Sequence, residues 1–379
     1  MHFDGAFDAE LLLADAGLDL DRLPESVASA WGEPIAVRAP VAACGADARA
    51  FAALTTCRGQ RSLKAMIDCF EIFLPIARGR LALLETLACR FVENQALQGV
   101  VYTEVRYSPH LLCEGGELGG APGAPSARAA DAVVAAVTRG LRRGEAAFGV
   151  TVNQILCCLS MRPDWADGVV ELAARWRGRA PCAVVGVDVA AGEEHFDARA
   201  HAALHAPHRA ALARARKLGL PITLHAAEVP GEAANARAAA AEYGARRLGH
   251  GYQAAGDAAL MAELVDLGVH FEVCPTSSYE TGGWTGEAAE RAPEPGWGEH
   301  PVHAMLAAGA SVGLNSDDPS VFATSLSEEF EIAERRIGLS AAELQKCTRS
   351  AIAAAFVDDG EKRRLVELAE RINGQVGAW

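Results

Sequence analysis

The chain has 379 residues, 50% of them hydrophobic, with 35 Lys and Arg against 49 Asp and Glu, a formal charge of −14. That apolar content excludes an intrinsically disordered or collagen-like chain. The acidic balance, with no basic run longer than Lys362-Arg363-Arg364, excludes the electrostatic footprint of a nucleic-acid binder and leaves a neutral or cationic small molecule as the natural partner.

In chain order, the opening Met1–Phe7 can be no more than the remnant of a strand, and Leu63–Gln95 is of helical period. Seven β-branched runs then follow at Gly99–Tyr107, Val150–Leu159, Cys182–Ala190, Pro221–Glu228, Arg246–Tyr252, Val269–Pro275 and Ala310–Pro319. Each is followed by a longer Ala/Leu/Glu/Arg stretch, the pattern of repeated βα units around a parallel sheet. This predicts an α/β chain forming a TIM-type (β/α)₈ barrel that lacks most of its first strand, as one domain over residues 1–379. Cys113–Ser126 and Glu280–Gly298, rich in Gly, Pro and acid, read as loops, the first solvated and the second folding over a site.

No stretch reaches the roughly 18 apolar residues of a membrane span, and Met1-His2-Phe3-Asp4-Gly5 carries neither a basic nor an apolar export region. A cytoplasmic protein away from membranes is expected. Ten cysteines without a CxxC pair read as reduced thiols, with Cys157, Cys158 and Cys274 as small core residues.

Four strands end in residues able to do chemistry: His225 and Glu228, His250, Cys274 to Ser278, and Asp317-Asp318. The C-terminal strand ends are where such a barrel builds its active site. A zinc site that activates water needs about three or four N/O ligands and a proton carrier that is not itself a ligand. His2, His225 and Asp317 can supply ligands, leaving Glu228, His250 and Asp318 for proton transfer and orientation. Taken singly, each has a plain structural reading: a hydrogen-bonded core histidine, or a helix cap for Glu228. His110, His195, His201, His205 and His208 lack ligand spacing and are expected on the solvated surface, while His300 before Pro301 is expected to orient a loop.

The strings His2-Phe3-Asp4-Gly5, Val105-Arg106-Tyr107-Ser108-Pro109-His110, His225-Ala226-Ala227-Glu228, Gly249-His250-Gly251-Tyr252, Phe271-Glu272-Val273-Cys274-Pro275-Thr276-Ser277-Ser278 and Asn315-Ser316-Asp317-Asp318-Pro319, in this order, resemble the adenosine deaminase family of animal type. The resemblance implies a barrel with one zinc ion per chain, hydrolysing adenosine or 2′-deoxyadenosine to inosine or 2′-deoxyinosine and ammonia in purine salvage, most simply as a monomer. It implies His2, His225 and Asp317 as metal ligands, Glu228 as proton donor to purine N1, His250 as the base that takes the water proton, and Asp318 as its orienter and a contact to N7. Asp4 would hold the 5′-hydroxyl, Gly192 or Ala191 would meet purine N3, and Leu63, Met66, Ile67 and Phe70 would cover the substrate.

Three departures from the family's pattern stand out. The family has His-x-His at the end of its first strand and here only the second histidine is present, so that either the true chain is longer or the barrel is opened and its metal site incomplete. Ala227 stands where a glycine is usual. The loop Asp188 to Glu194 reads as one residue longer than the family's, with Gly192 preferred as the N3 contact. Two alternatives accompany this expectation: a nucleoside-binding protein without turnover, and a deaminase of adenine or an N6-modified adenine nucleotide.

Overall fold

The computed structural model describes residues 1–121, 123–284 and 296–376. All seven expected strands are present: β1 (Tyr102–Tyr107), β2 (Thr151–Leu159), β3 (Val184–Ala190), β4 (Thr223–Ala226), β5 (Arg247–His250), β6 (His270–Val273) and β7 (Ser311–Leu314). They pair in parallel as two sheets, β1-β2-β3 and β4-β5-β6-β7. The sheets meet on one side where Val187 bridges Ile222. On the other side the gap is filled by Met1–Phe3: Phe3 N donates to Arg106 O (2.7 Å), Arg106 N to Met1 O (3.0 Å) and His2 N to Asp317 O (2.9 Å). The strand remnant read from the sequence therefore occupies the place of a first barrel strand, and it delivers His2 to the same rim as the ends of β4, β5 and β7.

Helices follow the strands in the expected rhythm, beginning with Ala127–Phe148 after β1 and Ala166–Trp176 after β2. Ala127–Phe148 is started by Ser126, whose hydroxyl accepts from Ala129 N, and stopped by Gly149 in the left-handed conformation that a side chain disfavours. It packs on the preceding helix Leu81–Leu97 through Gly140 and Gly144. A Cβ at Gly140 would stand 2.1 Å from the Glu85 carbonyl oxygen, so only glycine permits this approach. The stretch of helical period at 63–95 is two helices, Leu63–Ala77 and Leu81–Leu97, separated at Arg78–Arg80. The first is capped by Ser62, whose Oγ accepts from Ala65 N, and buries Met66, Ile67, Phe73 and Leu74. No helix among the described residues is long and apolar enough to cross a membrane.

Two expectations are corrected. His110, His195, His205 and His208 are buried, not solvated; only His201 among the five is exposed. Each buried ring has a local reason that sequence spacing does not reveal: His110 stacks on Trp165, His195 Nδ1 meets Ser160 Oγ at 3.0 Å, His205 Nδ1 meets the His195 carbonyl at 3.0 Å, and His208 faces the Leu204 and Leu159 carbonyls. Second, the loop Cys113–Ser126 is not simply a solvated connection. Leu118 is buried and Gly119 packs so tightly on the Ser29 carbonyl that a Cβ there would come within 2.2 Å of it. Of the two residues offered for the purine N3 contact, Ala191 lines the cavity described below and Gly192 is not among its lining residues. Of Glu280–Gly298, residues 285–295 lie outside the described residues. His300 does anchor its loop, with Nε2 3.0 Å from Ser278 Oγ and Nδ1 accepting from Val302 N. All ten cysteines are free thiols.

Candidate active site and metal centre

Eleven of the twelve expected site residues line one small cavity of about 60 Å³: His2, Asp4, Leu63, Met66, Ile67, Phe70, His225, Glu228, His250, Asp317 and Asp318. Leu111, Leu118, Leu159, Ala190 and Ala191 complete the wall. These five come from strand ends and loops whose apolar residues look like ordinary core in sequence. A larger cavity of about 390 Å³, lined by Met1, Phe7, Phe51, Phe73 and Phe91 among others, lies behind Met1–Phe3 and contains none of the chemistry. The helix Leu63–Ala77 contributes Leu63, Met66, Ile67 and Phe70 to the wall of the chemical site.

The polar floor is assembled at strand ends. Ala191, Ala227, His250 and Asp317 all have positive φ (81°, 54°, 70° and 52°). Such left-handed backbone is costly for residues with a Cβ and is kept mainly where a site demands it. At Ala227 it also explains why glycine suits this position in the resembling sequences.

His2 Nε2 lies 3.1 Å from His225 Nε2 and 3.8 Å from Asp317 Oδ1. These three buried side chains offer donor atoms that lie within 4.8 Å of one another. Tetrahedral ligands at Zn–N distances of about 2.0–2.1 Å stand roughly 3.3 Å apart, so the set fits a cation of that size. The ring orientations agree. His225 Nδ1 faces both oxygens of Asp188 (3.2 and 3.0 Å), which fixes the proton on Nδ1 and turns the Nε2 lone pair toward His2. His2 Nδ1 lies 3.7 Å from Asp4 Oδ1, beyond hydrogen-bond reach. The two imidazoles converge with Asp317, whose second oxygen accepts from Ser277 Oγ at 2.7 Å.

Beside this donor set, His250 Nε2 is 3.5 Å from Glu228 Oε2 and 3.9 Å from Asp317 Oδ2. Its protonation follows from its neighbour. The Tyr252 hydroxyl accepts from Cys274 N (2.8 Å), donates to Cys274 O (3.2 Å), and has its remaining lone pair facing His250 Nδ1 (3.3 Å). His250 therefore carries its proton on Nδ1 and presents a lone pair on Nε2 to the cavity. Burial lowers its pKa to about 3 against the pull of Asp317, so the ring is neutral at pH 7. Glu228 shifts the other way: burial, then Asp317, push it up to about 8. Asp317 is drawn down to about 2, the penalty of burial being outweighed by His250, His2 and His225. Asp318 is pushed well above the usual carboxylate range by burial, Asp317 and Asp4. At neutral pH the site therefore sets a buried carboxylic acid, Glu228, beside a neutral imidazole with a free lone pair, His250. One oxygen each of Asp4, Glu228 and Asp318 is buried without a hydrogen-bond partner, as expected of groups that await a ligand.

Three further residues hold this arrangement and were not singled out from sequence: Asp188 behind His225, Arg106 behind Asp188 (2.9 Å), and Glu193. The fully enclosed Glu193 carboxylate accepts from Ala227 N (2.8 Å), Glu228 N (2.7 Å), Val229 N (3.2 Å) and Asn235 Nδ2 (2.8 Å), and so fixes the turn that carries Glu228. Lone acids on strand ends give no such signal in one sequence.

A parallel α/β barrel that gathers a His/His/Asp set and a neighbouring carboxyl and imidazole at its C-terminal rim has the arrangement in which barrel-type hydrolases hold a metal. The family model for adenosine deaminase matches residues 1–372. The chain is 35% identical over 315 residues to the adenosine deaminase of Bos taurus, covering 83% of this chain and 82% of the relative. In fold it is similar to an adenine deaminase from Arthrobacter aurescens (TM-score 0.73, 21% identity, 98% and 97% of the two chains) and to an amidohydrolase from Burkhoderia ambifaria solved with bound Zn (0.69, 21%, 99% and 91%). It is likewise similar to Arabidopsis ADAL complexed with IMP (0.72, 22%, 99% and 96%). The chain belongs to the adenosine deaminase family of hydrolytic deaminases.

Proposed function

We propose that this chain, as one catalytic domain, hydrolyses adenosine and 2′-deoxyadenosine to the inosines and ammonia, with zinc held by His2, His225 and Asp317. The observation that carries the reading is the opposed pair at 3.5 Å, Glu228 kept protonated and His250 kept neutral, beside that donor set. When bound, zinc supplies Lewis-acid activation of water. Glu228 donates its proton to purine N1, which makes C6 electrophilic. His250 Nε2 takes the proton of the attacking water, and Asp318, kept protonated, orients that water and donates to N7. The apolar side chains Leu63, Met66, Ile67 and Phe70 cover the purine and exclude bulk water.

A nucleoside is favoured over a nucleotide because, among the described residues, the cavity wall carries Asp4, Glu228, Asp317 and Asp318 and no Lys or Arg. A phosphate there would meet like charge without a compensating cation. Asp4, with an unpartnered oxygen and the other accepting from Ser108 N (3.2 Å), is placed to accept from a ribose 5′-hydroxyl. This also argues against free adenine, which would leave that oxygen unmet. Ten free thiols agree with a reducing, cytoplasmic setting. The test is turnover of adenosine, 2′-deoxyadenosine, adenine, AMP and N6-methyl-AMP by the zinc-loaded chain, followed through loss of the adenine chromophore. Preference for the two nucleosides supports the reading; preference for adenine or a nucleotide replaces it, and binding of adenosine without turnover moves the chain to the non-catalytic alternative.

A further inference from the structure

We infer that Arg106 is a positioning residue for both histidines of the metal set at once: its backbone holds the segment that carries His2, and its guanidinium, acting through Asp188, holds the ring of His225. The inference rests on the metal assignment made above and goes beyond it by naming what sets the geometry.

The backbone arm is a parallel bridge. Arg106 N donates to Met1 O (3.0 Å) and Arg106 O accepts from Phe3 N (2.7 Å), so the two bonds straddle His2 and fix which way it projects. The side-chain arm runs Arg106 Nη1 to Asp188 Oδ2 (2.9 Å) and Asp188 to His225 Nδ1 (3.0 Å to Oδ2, 3.2 Å to Oδ1). Asp188 is fully buried, and among the described residues its ion pairs are with Arg106 and His225 alone. A carboxylate so enclosed needs a fixed cation to keep both oxygens turned to the imidazole.

Arg106 is itself held from the far side. Its Nη2 pairs with Glu272, whose other oxygen pairs with Arg247 Nε (2.8 Å), and Arg247 in turn pairs with Glu104 and lies 3.7 Å over the Phe356 ring. The guanidinium fork thus spans two carboxylates, Asp188 above and Glu272 below, with one planar group. Lysine keeps the charge and has a single nitrogen, so it cannot span both.

Because substitution at 106 leaves the backbone bonds in place, side-chain variants isolate the His225 arm. The experiment measures zinc affinity by competition with a chromophoric chelator for the full chain, Arg106→Lys, Asp188→Asn and the double variant, together with melting of each after chelator treatment. Each single change is expected to weaken zinc about 10–100-fold, the usual cost of losing an outer partner of a metal ligand. The double variant is expected to lose no more than the worse single one, since both cut the same path. Losses that multiply in the double variant overturn the inference, as does an Arg106→Lys affinity within about twofold of the parent despite lowered melting, the result a purely structural arginine would give. Should Arg106→Lys not fold, Glu272→Gln releases the far end of the fork and is expected to weaken zinc severalfold; unchanged affinity overturns the inference. A parent chain that binds no zinc overturns the metal assignment and this inference with it, whereas a parent that binds zinc with variants that match it removes this inference alone.

Discussion

Glu228 and His250 face each other with Oε2 3.5 Å from Nε2, yet the fold drives their proton affinities in opposite directions, up to about 8 and down to about 3. Burial acts on both and disfavours the charged form of each: the anion of one, the cation of the other. The two are therefore a neutral acid and a neutral base in contact, where separate surface groups would be an ion pair.

The first consequence is a pH profile. Glu228 must carry its proton to donate it, so kcat/KM should be level through neutrality and fall about tenfold per pH unit as pH rises through about 8. His250 stays a base until pH approaches about 3, so it sets no limb in the neutral range. An alkaline limb that survives unchanged in Glu228→Gln would assign it to another group.

Glu228→Gln should itself lower kcat about 10²–10⁴-fold, the usual share of a positioned acid, with zinc content unchanged because the residue lies outside the donor set. Kinetics and elemental analysis of the same preparation check both halves. Asp317→Ala should behave in the opposite way, losing the metal on dialysis, because it removes an oxygen donor held 3.8 Å from His2 Nε2.

Glu193→Gln tests the support beneath Glu228. The carboxylate takes three backbone N–H groups and the Asn235 amide, and a carboxamide must turn one NH₂ group against those donors. A cost of about 1–3 kcal/mol in stability is expected, with kcat falling more than KM rises because the acid is displaced while the apolar wall remains. Thermal melting and steady-state kinetics separate the two effects.

Gly140→Leu examines packing remote from the site. With its Cβ position 2.1 Å from the Glu85 carbonyl oxygen, the two helices must part. Overpacking of this kind costs about 1–3 kcal/mol or more, so melting should drop by several degrees with KM for adenosine unchanged in the folded fraction.

What the sequence determined by itself was considerable. Seven β-branched runs, each followed by a helical stretch, set the strand count and the barrel, and the polar residues closing those runs marked the rim. His225, Glu228, His250, Asp317 and Asp318 were legible because chemistry in such a barrel concentrates at strand ends, which are local features, whereas Asp4, Leu63, Met66, Ile67 and Phe70 were named only through the family resemblance. The tertiary structure alone decided relations between residues far apart in the chain. The resemblance left Gly192 and Ala191 both open as the purine contact, and only the folded loop shows that Ala191, with φ 81°, lines the cavity. The buried histidines at 110, 195, 205 and 208 owe their burial to Trp165, Ser160 and backbone carbonyls that no spacing announces. Likewise Arg106, Asp188 and Glu193 gain their meaning only when the ends of β1, β3 and β4 are gathered at one rim, because the energy of a buried charge depends on partners brought in by the fold and not on its neighbours in sequence.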